Sequence, residues 1–143
     1  MRRWAMVLAA LAAISLTAGA CSSGSGSKGS TGSKGAETVK VGLSEYSISP
    51  DIQSVKAGDV TFDVANEGTM AHEMVLIKTD VPPTHLPMEK GEASEAGSVG
   101  EVSDLPAGES GTLTVHLDPG HYVMICNLPG HYSAGMRTEF TVS

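Results

Sequence analysis

Cys126-Asn127-Leu128-Pro129-Gly130-His131-Tyr132-Ser133-Ala134-Gly135-Met136 sets a thiol, an imidazole and a thioether five residues apart on a stretch rich in Pro and Gly. A loop of that composition can curl around a point and bring all three side chains to it. A fourth candidate, His72, lies on the connection between the apolar segments ending at Val64 and starting at Met74. Two imidazoles, one thiolate and a thioether form the ligand set of an electron-transfer copper site: soft sulfur suits Cu(I), and imidazole suits both oxidation states. With five His and seven Met in 143 residues, a given Cys meets this His and Met spacing by chance about twice in a thousand, so the pattern reads as a site. Each residue also has a plainer use. Cys126 can be a small buried hydrophobe or the disulfide partner of Cys21, His72 a turn residue, and Met136 a filler of core gaps. His85, His116 and His121 lack partners at metal spacing and read as solvated; His85 with Met88 and nearby acids is a candidate for a weak second copper site.

Strands must position this loop. Val39, Val41 and Leu43 alternate with polar or small residues, as do Val60, Phe62 and Val64, then Leu113, Val115 and Leu117, and finally Thr138, Phe140 and Val142. Period-two alternation predicts half-buried strands. Met74-Val75-Leu76-Ile77 and Tyr122–Cys126 are continuous apolar runs of strand length, and Ile48 to Val55 is a candidate seventh strand. Ala57-Gly58-Asp59, Asn66-Glu67-Gly68, Pro106-Ala107-Gly108 and Asp118-Pro119-Gly120 punctuate them as turns. These spacings predict an all-β chain, an antiparallel Greek-key β-sandwich of about seven to eight strands over residues 38–143. Thr79 to Gly100, with three Glu and three Pro, is expected to be a long surface loop, with one helical turn near Leu86 to Lys90 and Glu89, Glu92 and Glu95 on its solvated face.

The first residues read as an address. Arg2 and Arg3 precede an uncharged run from Trp4 to Leu16, about 20 Å of helix and too short to span a bilayer comfortably. A small-residue stretch, Thr17-Ala18-Gly19-Ala20, completes the pattern of a secretory signal peptide over residues 1–20. Ala18-Gly19-Ala20-Cys21 resembles the lipobox of bacterial lipoproteins, which implies a lipid on Cys21 and attachment to the outer face of the cell membrane; the family usually has Leu where Ala18 stands. Ser22 to Gly35, with six Ser, five Gly and no apolar side chain, is expected to be a flexible tether, residues 21–37 forming anchor and linker, with a reach of roughly 20 Å.

Composition narrows the partners. Residues 21–143 carry seven Lys and Arg against sixteen Asp and Glu, a net charge of −9. Nucleic acid, which needs clustered cations, is excluded as the expected ligand. Two cysteines cannot build a disulfide scaffold. Structural zinc favours Cys-rich sets, a Cys-x-x-Cys-His haem motif is absent, and neither a His-x-His cluster nor a nucleophile motif appears, so an enzyme is not expected.

At these residues the chain resembles the cupredoxins, the single-domain blue-copper proteins. The likeness covers roughly Thr38 to Ser143, and His72, Cys126, His131 and Met136 match the family's ligand pattern position by position. The spacing of Cys126, His131 and Met136 looks more like the longer ligand loops of rusticyanin-like and sulfocyanin-like members than the short loop of plastocyanin. The resemblance implies one mononuclear type 1 copper held by these four residues, with Met136 as a long axial contact. It also implies one-electron transport outside the cytoplasm by a monomer acting on redox-partner proteins, with His131 as the electron port and Leu128, Pro129 and Met70 on its rim. A copper storage or delivery lipoprotein is the alternative. One position departs from the pattern: many members follow the upstream His with an Asn that braces the Cys loop, whereas Glu73 stands here, so that brace does not carry over by residue type.

Overall fold

The computed structural model describes residues 35–143. The expected signal segment, Cys21 and most of the Gly/Ser-rich stretch lie outside the described residues. Among the described residues, no helix is long and apolar enough to cross a membrane.

Two sheets face each other. The first contains β1 (Glu37–Ser44), β2 (Ser47–Pro50), β4 (Gly58–Asn66) and β9 (Ser110–Leu117), in the order β2-β1-β4-β9. The second contains β3 (Ser54–Val55), β5 (His72–Lys78), β8 (Ser98–Leu105), β10 (Gly120–Ile125) and β11 (Arg137–Val142), in the order β3-β11-β10-β5-β8. A two-residue ladder, β6 (Met88–Glu89) with β7 (Glu92–Ala93), stands apart. The expected Greek-key sandwich is therefore present: nine strands form its two sheets, and the separate ladder brings the described strands to eleven, three of them two residues long. Most pairings are antiparallel, but β1 runs parallel to β4 and β3 parallel to β11. The candidate strand Ile48 to Val55 divides: β2 closes one sheet, and after Asp51 to Gln53 the chain crosses to the edge of the other as β3.

The alternating residues fill the space between the sheets. Val39, Val41 and Leu43 of β1 and Val60, Phe62 and Val64 of β4 meet Met74 and Leu76 of β5, Tyr122 and Met124 of β10 and Phe140 and Val142 of β11. Phe62 and Phe140 pack edge to face, with centroids 5.5 Å apart and planes at 69°, a favoured aromatic geometry.

β5 and β10 are apolar on both faces because both faces are covered. Val75, Ile77, Val123 and Ile125 point away from the sandwich and are sealed by Leu86, Ala93 and Tyr132 in a second apolar cluster. Leu86 and Ala93 belong to the long segment between β5 and β8, which is not simply a solvated loop: it straps the outer face of the second sheet. Its helical turn is a 3-10 turn at Pro83–His85, just ahead of the expected Leu86 to Lys90. Glu89, Glu92 and Glu95 are exposed, as expected.

The strand ends share one pole. β1 and β4 finish there, β5 and β11 begin there, and β10 arrives there, as the pairings of Leu43 with Asn66, His72 with Leu105 and Ile125 with Arg137 require. At the far pole Glu37 pairs with Val60, and Gly120 with Val142. The candidate ligands gather at the first of these poles.

Candidate metal centre

His72 is the first residue of β5 and is fully buried. The preceding connection is held by Asn66, whose buried amide donates to the carbonyls of Met70 and Leu105, both at 2.8 Å, and accepts from the Gly68 N–H at 3.0 Å. The turn therefore delivers the imidazole inward in a fixed place.

The loop between β10 and β11 is knotted by its own backbone. Cys126 N–H donates to the Met136 carbonyl at 3.1 Å, Met136 N–H to the His131 carbonyl at 3.0 Å, and His131 N–H to the Leu128 carbonyl at 2.9 Å. These bonds curl the Pro/Gly-rich segment back on itself, as its composition predicts. Cys126 and Met136 are fully buried, while His131 is half-buried.

Three donors converge. His72 Nδ1 lies 3.3 Å from His131 Nδ1, and His131 Nδ1 lies 3.3 Å from Cys126 Sγ. Their ligand atoms all fall within 4.8 Å of one another. Imidazole nitrogens about 2.0 Å and thiolate sulfur about 2.3 Å from a first-row ion stand about 3.5 Å apart in trigonal or tetrahedral arrangement. The observed spacing is thus that of one small cation's coordination shell, and soft sulfur with imidazole is a copper donor set. Met136 is fully buried beside this cluster's loop, with its backbone tied to Cys126 and His131.

Burial acts oppositely on the two buried donors, holding the proton on the thiol and keeping it off the imidazole. Burial pushes the Cys126 thiol above its ordinary 9.0. Burial, seconded by the neighbouring His131, pushes His72 below its ordinary 6.5, so His72 is neutral and ready to ligate.

The surroundings include groups that sequence spacing does not reveal. Glu73 Oε1 accepts from the Asn127 backbone N–H at 3.0 Å, so the departure from the family's Asn still ties the upstream His segment to the Cys loop. Asn127 is itself buried. Its side chain accepts from the Ala93 N–H at 2.8 Å and donates to the Ala93 carbonyl at 3.0 Å and to Glu95 at 2.7 Å. Tyr132 donates its hydroxyl proton to the Pro83 carbonyl at 2.7 Å and accepts from the Leu86 N–H at 3.1 Å. The ligand loop and the strap are therefore clipped together at two points. Glu45 and Tyr46, the turn between β1 and β2, flank the site from the other sheet: the Tyr46 ring meets His131 edge-on, with centroids 5.7 Å apart. Both carry no local signal, because only the parallel pairing of β1 with β4 brings their turn to this pole.

His85, His116 and His121 stay outside the cluster and are exposed; His116 pairs with Asp59 at 2.8 Å. His85 contacts the Thr84 hydroxyl, and among the described residues the three-donor cluster includes neither His85 nor its acidic neighbours.

Comparison with known proteins points the same way. The family model of copper binding proteins, plastocyanin/azurin family, matches residues 37–143. Auracyanin-B of Chloroflexus aurantiacus is 52% identical over 40 residues, which make up 27% of this chain and 17% of that protein, so the matched stretch spans well under two thirds of that relative. The sodium-dithionite-reduced auracyanin from the photosynthetic bacterium Roseiflexus castenholzii is similar with a TM-score of 0.59 at 25% identity, over 76% of this chain and 99% of that one. Rusticyanin from Thiobacillus ferrooxidans shares the fold, with a TM-score of 0.54 at 20% identity over 75% of this chain and 78% of its own. Since the family match runs through both sheets of the sandwich and the whole ligand loop, the chain belongs to the plastocyanin/azurin family of copper-binding proteins, and the ion its converging donors fit is a single type 1 copper.

Proposed function

We propose that the protein carries single electrons outside the cytoplasm, using one copper that His72, Cys126, His131 and Met136 would hold. The observation that carries this reading is the convergence of two Nδ1 atoms and one Sγ at 3.3 Å spacings in a pocket knotted by backbone hydrogen bonds. Copper supplies the one-electron couple. The chain's own residues do the rest.

Cys126 and His72, buried and fixed at strand ends, keep their positions through a redox cycle, so little has to move when an electron arrives. Burial of Cys126 and Met136 excludes water from the sulfur side. His131, half-buried, is the port: Tyr46 and Met70 are exposed beside the turns that flank it, and Leu128 and Pro129 precede it on the loop. An apolar rim around a conducting imidazole suits brief docking, and the acidic remainder steers a basic redox partner in a salt-sensitive way. Four protein donors leave no open position for a substrate, which favours a carrier over a catalyst.

Location is the further part of the proposal. Residues 1–20 serve as an export signal, a lipid on Cys21 anchors the chain, and residues 21–37 tether the copper domain of residues 38–143. Membrane fractionation tests this: the wild type is expected with membranes and Cys21→Ala released or unprocessed, whereas full release of the wild type overturns the anchor.

Copper titration with visible and paramagnetic-resonance spectra tests the site. An intense Cu(II)-thiolate band, reversible redox cycling and slow loss to chelators are expected of a carrier. Ready surrender of copper points instead to storage or delivery, and a coloured Cys126→Ser protein overturns the ligand assignment.

A further inference from the structure

With Nδ1 of His72 turned toward His131 and Cys126, the other ring nitrogen faces the turn between β1 and β2. Nε2 is the buried side-chain polar atom that, among the described residues, has no hydrogen-bond partner. An imidazole that ligates through one nitrogen normally gives the proton on the other to a carboxylate, a carbonyl or water, which fixes the ring and raises its basicity. The group that Nε2 faces is Glu45, with Oε1 at 3.9 Å.

Glu45 is held for this position. Its Oε1 accepts from the Thr69 N–H at 2.5 Å and from the Thr69 hydroxyl at 3.0 Å. Those bonds fix the carboxylate beside the turn, with Oε1 on the side of the His72 ring. Gly68 lies between the two groups: a Cβ there would stand 2.8 Å from Glu45 Oε1 and 3.0 Å from His72 Nε2. Only glycine lets the carboxylate and the imidazole face each other so closely. Across a side chain that is about one-third exposed on the Glu45 side and fully buried on the His72 side, their interaction is screened on one flank only.

We infer that Glu45 is a positioning and charge-setting residue for the copper centre: its carboxylate is the outer acceptor of the His72 Nε2–H and biases the site toward the cupric state. This rests on the assignment of His72 as a ligand. A fixed negative charge beyond the imidazole stabilises the more positive, oxidised centre over the reduced one, so removing it favours Cu(I). Thr69 holds the carboxylate, and Gly68 leaves it the approach.

The experiment is a redox titration of the copper-loaded full chain, wild type against Glu45→Gln and Glu45→Asp, together with proton exchange of the His72 imidazole N–H by NMR in the Cu(I) form. Glu45→Gln is expected to raise the Cu(I)/Cu(II) ratio several-fold at a fixed solution potential and to speed exchange of the Nε2 proton, while leaving the Cu(II)-thiolate band in place. Glu45→Asp, which keeps the charge on a shorter stem, is expected between the two. A Glu45→Gln protein with the wild-type ratio and the wild-type exchange rate overturns the inference while leaving the electron-carrier reading intact. If Glu45→Gln fails to fold, Gly68→Ala is read by the same titration: its Cβ separates the pair, so the ratio must rise, and an unchanged ratio overturns the inference. A wild type that takes up no copper overturns both readings together.

Discussion

Glu73 Oε1 accepts the backbone N–H of Asn127 at 3.0 Å, so the residue after His72 grips the residue after Cys126. A carboxylate does here what a side-chain amide does in many relatives, with one difference: it titrates. Burial first, and the nearby acids Glu95, Glu101 and Asp104 after it, raise Glu73 above its ordinary 4.5, against the opposing pull of the Asn127 N–H.

The raised value makes the folded state bind the Glu73 proton more tightly than the unfolded state. Its contribution to stability therefore declines as pH rises from 4.5 through the folded value. Thermal melts of the copper-free protein across pH 4.5 to 7 are expected to show that decline, and Glu73→Gln, neutral throughout, to flatten it while keeping an acceptor. Glu73→Ala leaves the Asn127 N–H without its partner and is expected to lower stability by about 1–3 kcal/mol.

The Cys126 thiol, pushed above 9.0 by burial, must give up its proton to bind metal. Apparent copper affinity is therefore expected to rise about tenfold per pH unit between 6.5 and 9. His72, held below 6.5 by burial, adds no slope in that range. Competition titrations against a chelator at several pH values check this, and proton release on copper addition in weak buffer counts the proton directly.

Cutting the clip between loop and strap should free the strap before it unfolds the sandwich. Asn127→Ala removes three hydrogen bonds, two of them to the backbone of Ala93, and is expected to cost about 1–3 kcal/mol. Protease cleavage between residues 79 and 97 should speed up more than global unfolding does. Tyr132→Phe, which loses the Pro83 and Leu86 contacts but keeps the ring, is expected to cost about 1 kcal/mol.

Tyr46 is 47% exposed with its ring edge against His131. Tyr46→Ala is expected to slow electron exchange with a protein partner by about tenfold while leaving the visible band unchanged, since exposed aromatics dominate docking surfaces. Stopped-flow kinetics at two salt concentrations separate this from the charge steering, which changes with ionic strength.

Much of this architecture could be read from side-chain patterns, and the parts that could not have physical reasons. β1, β4, β9 and β11 each keep one face in the core, so strict alternation marks them. β8 carries no strand signal, its first three residues reading as loop, because its apolar residues Val99, Val102 and Leu105 fall three apart. Its pairing with β5 shifts register twice, after His72 and after Leu76, and that breaks period two. The strap looked solvated because Leu86 and Ala93 are isolated among polar residues. The clue to it was elsewhere, in the unbroken run Met74 to Ile77, which requires cover on both faces of β5. At the metal centre, Cys126, His131 and Met136 were legible because they are near in sequence and His72 because it ends a turn. Glu45 and Tyr46 were not, because their place depends on a parallel pairing that no local pattern encodes.

β1 crosses the domain once, from Glu37 at one pole to the turn beside His72 and His131 at the other, a distance of about 25 Å at strand rise. β11 makes the return journey, and Ser143 closes against Ala57 at the pole where β1 began. Both described ends of the chain therefore emerge on the side opposite His131. A visiting protein that meets the imidazole head-on docks at the pole away from both Gly35 and Ser143. For the same reason, a label or surface linker attached at either end leaves the route to the ion clear.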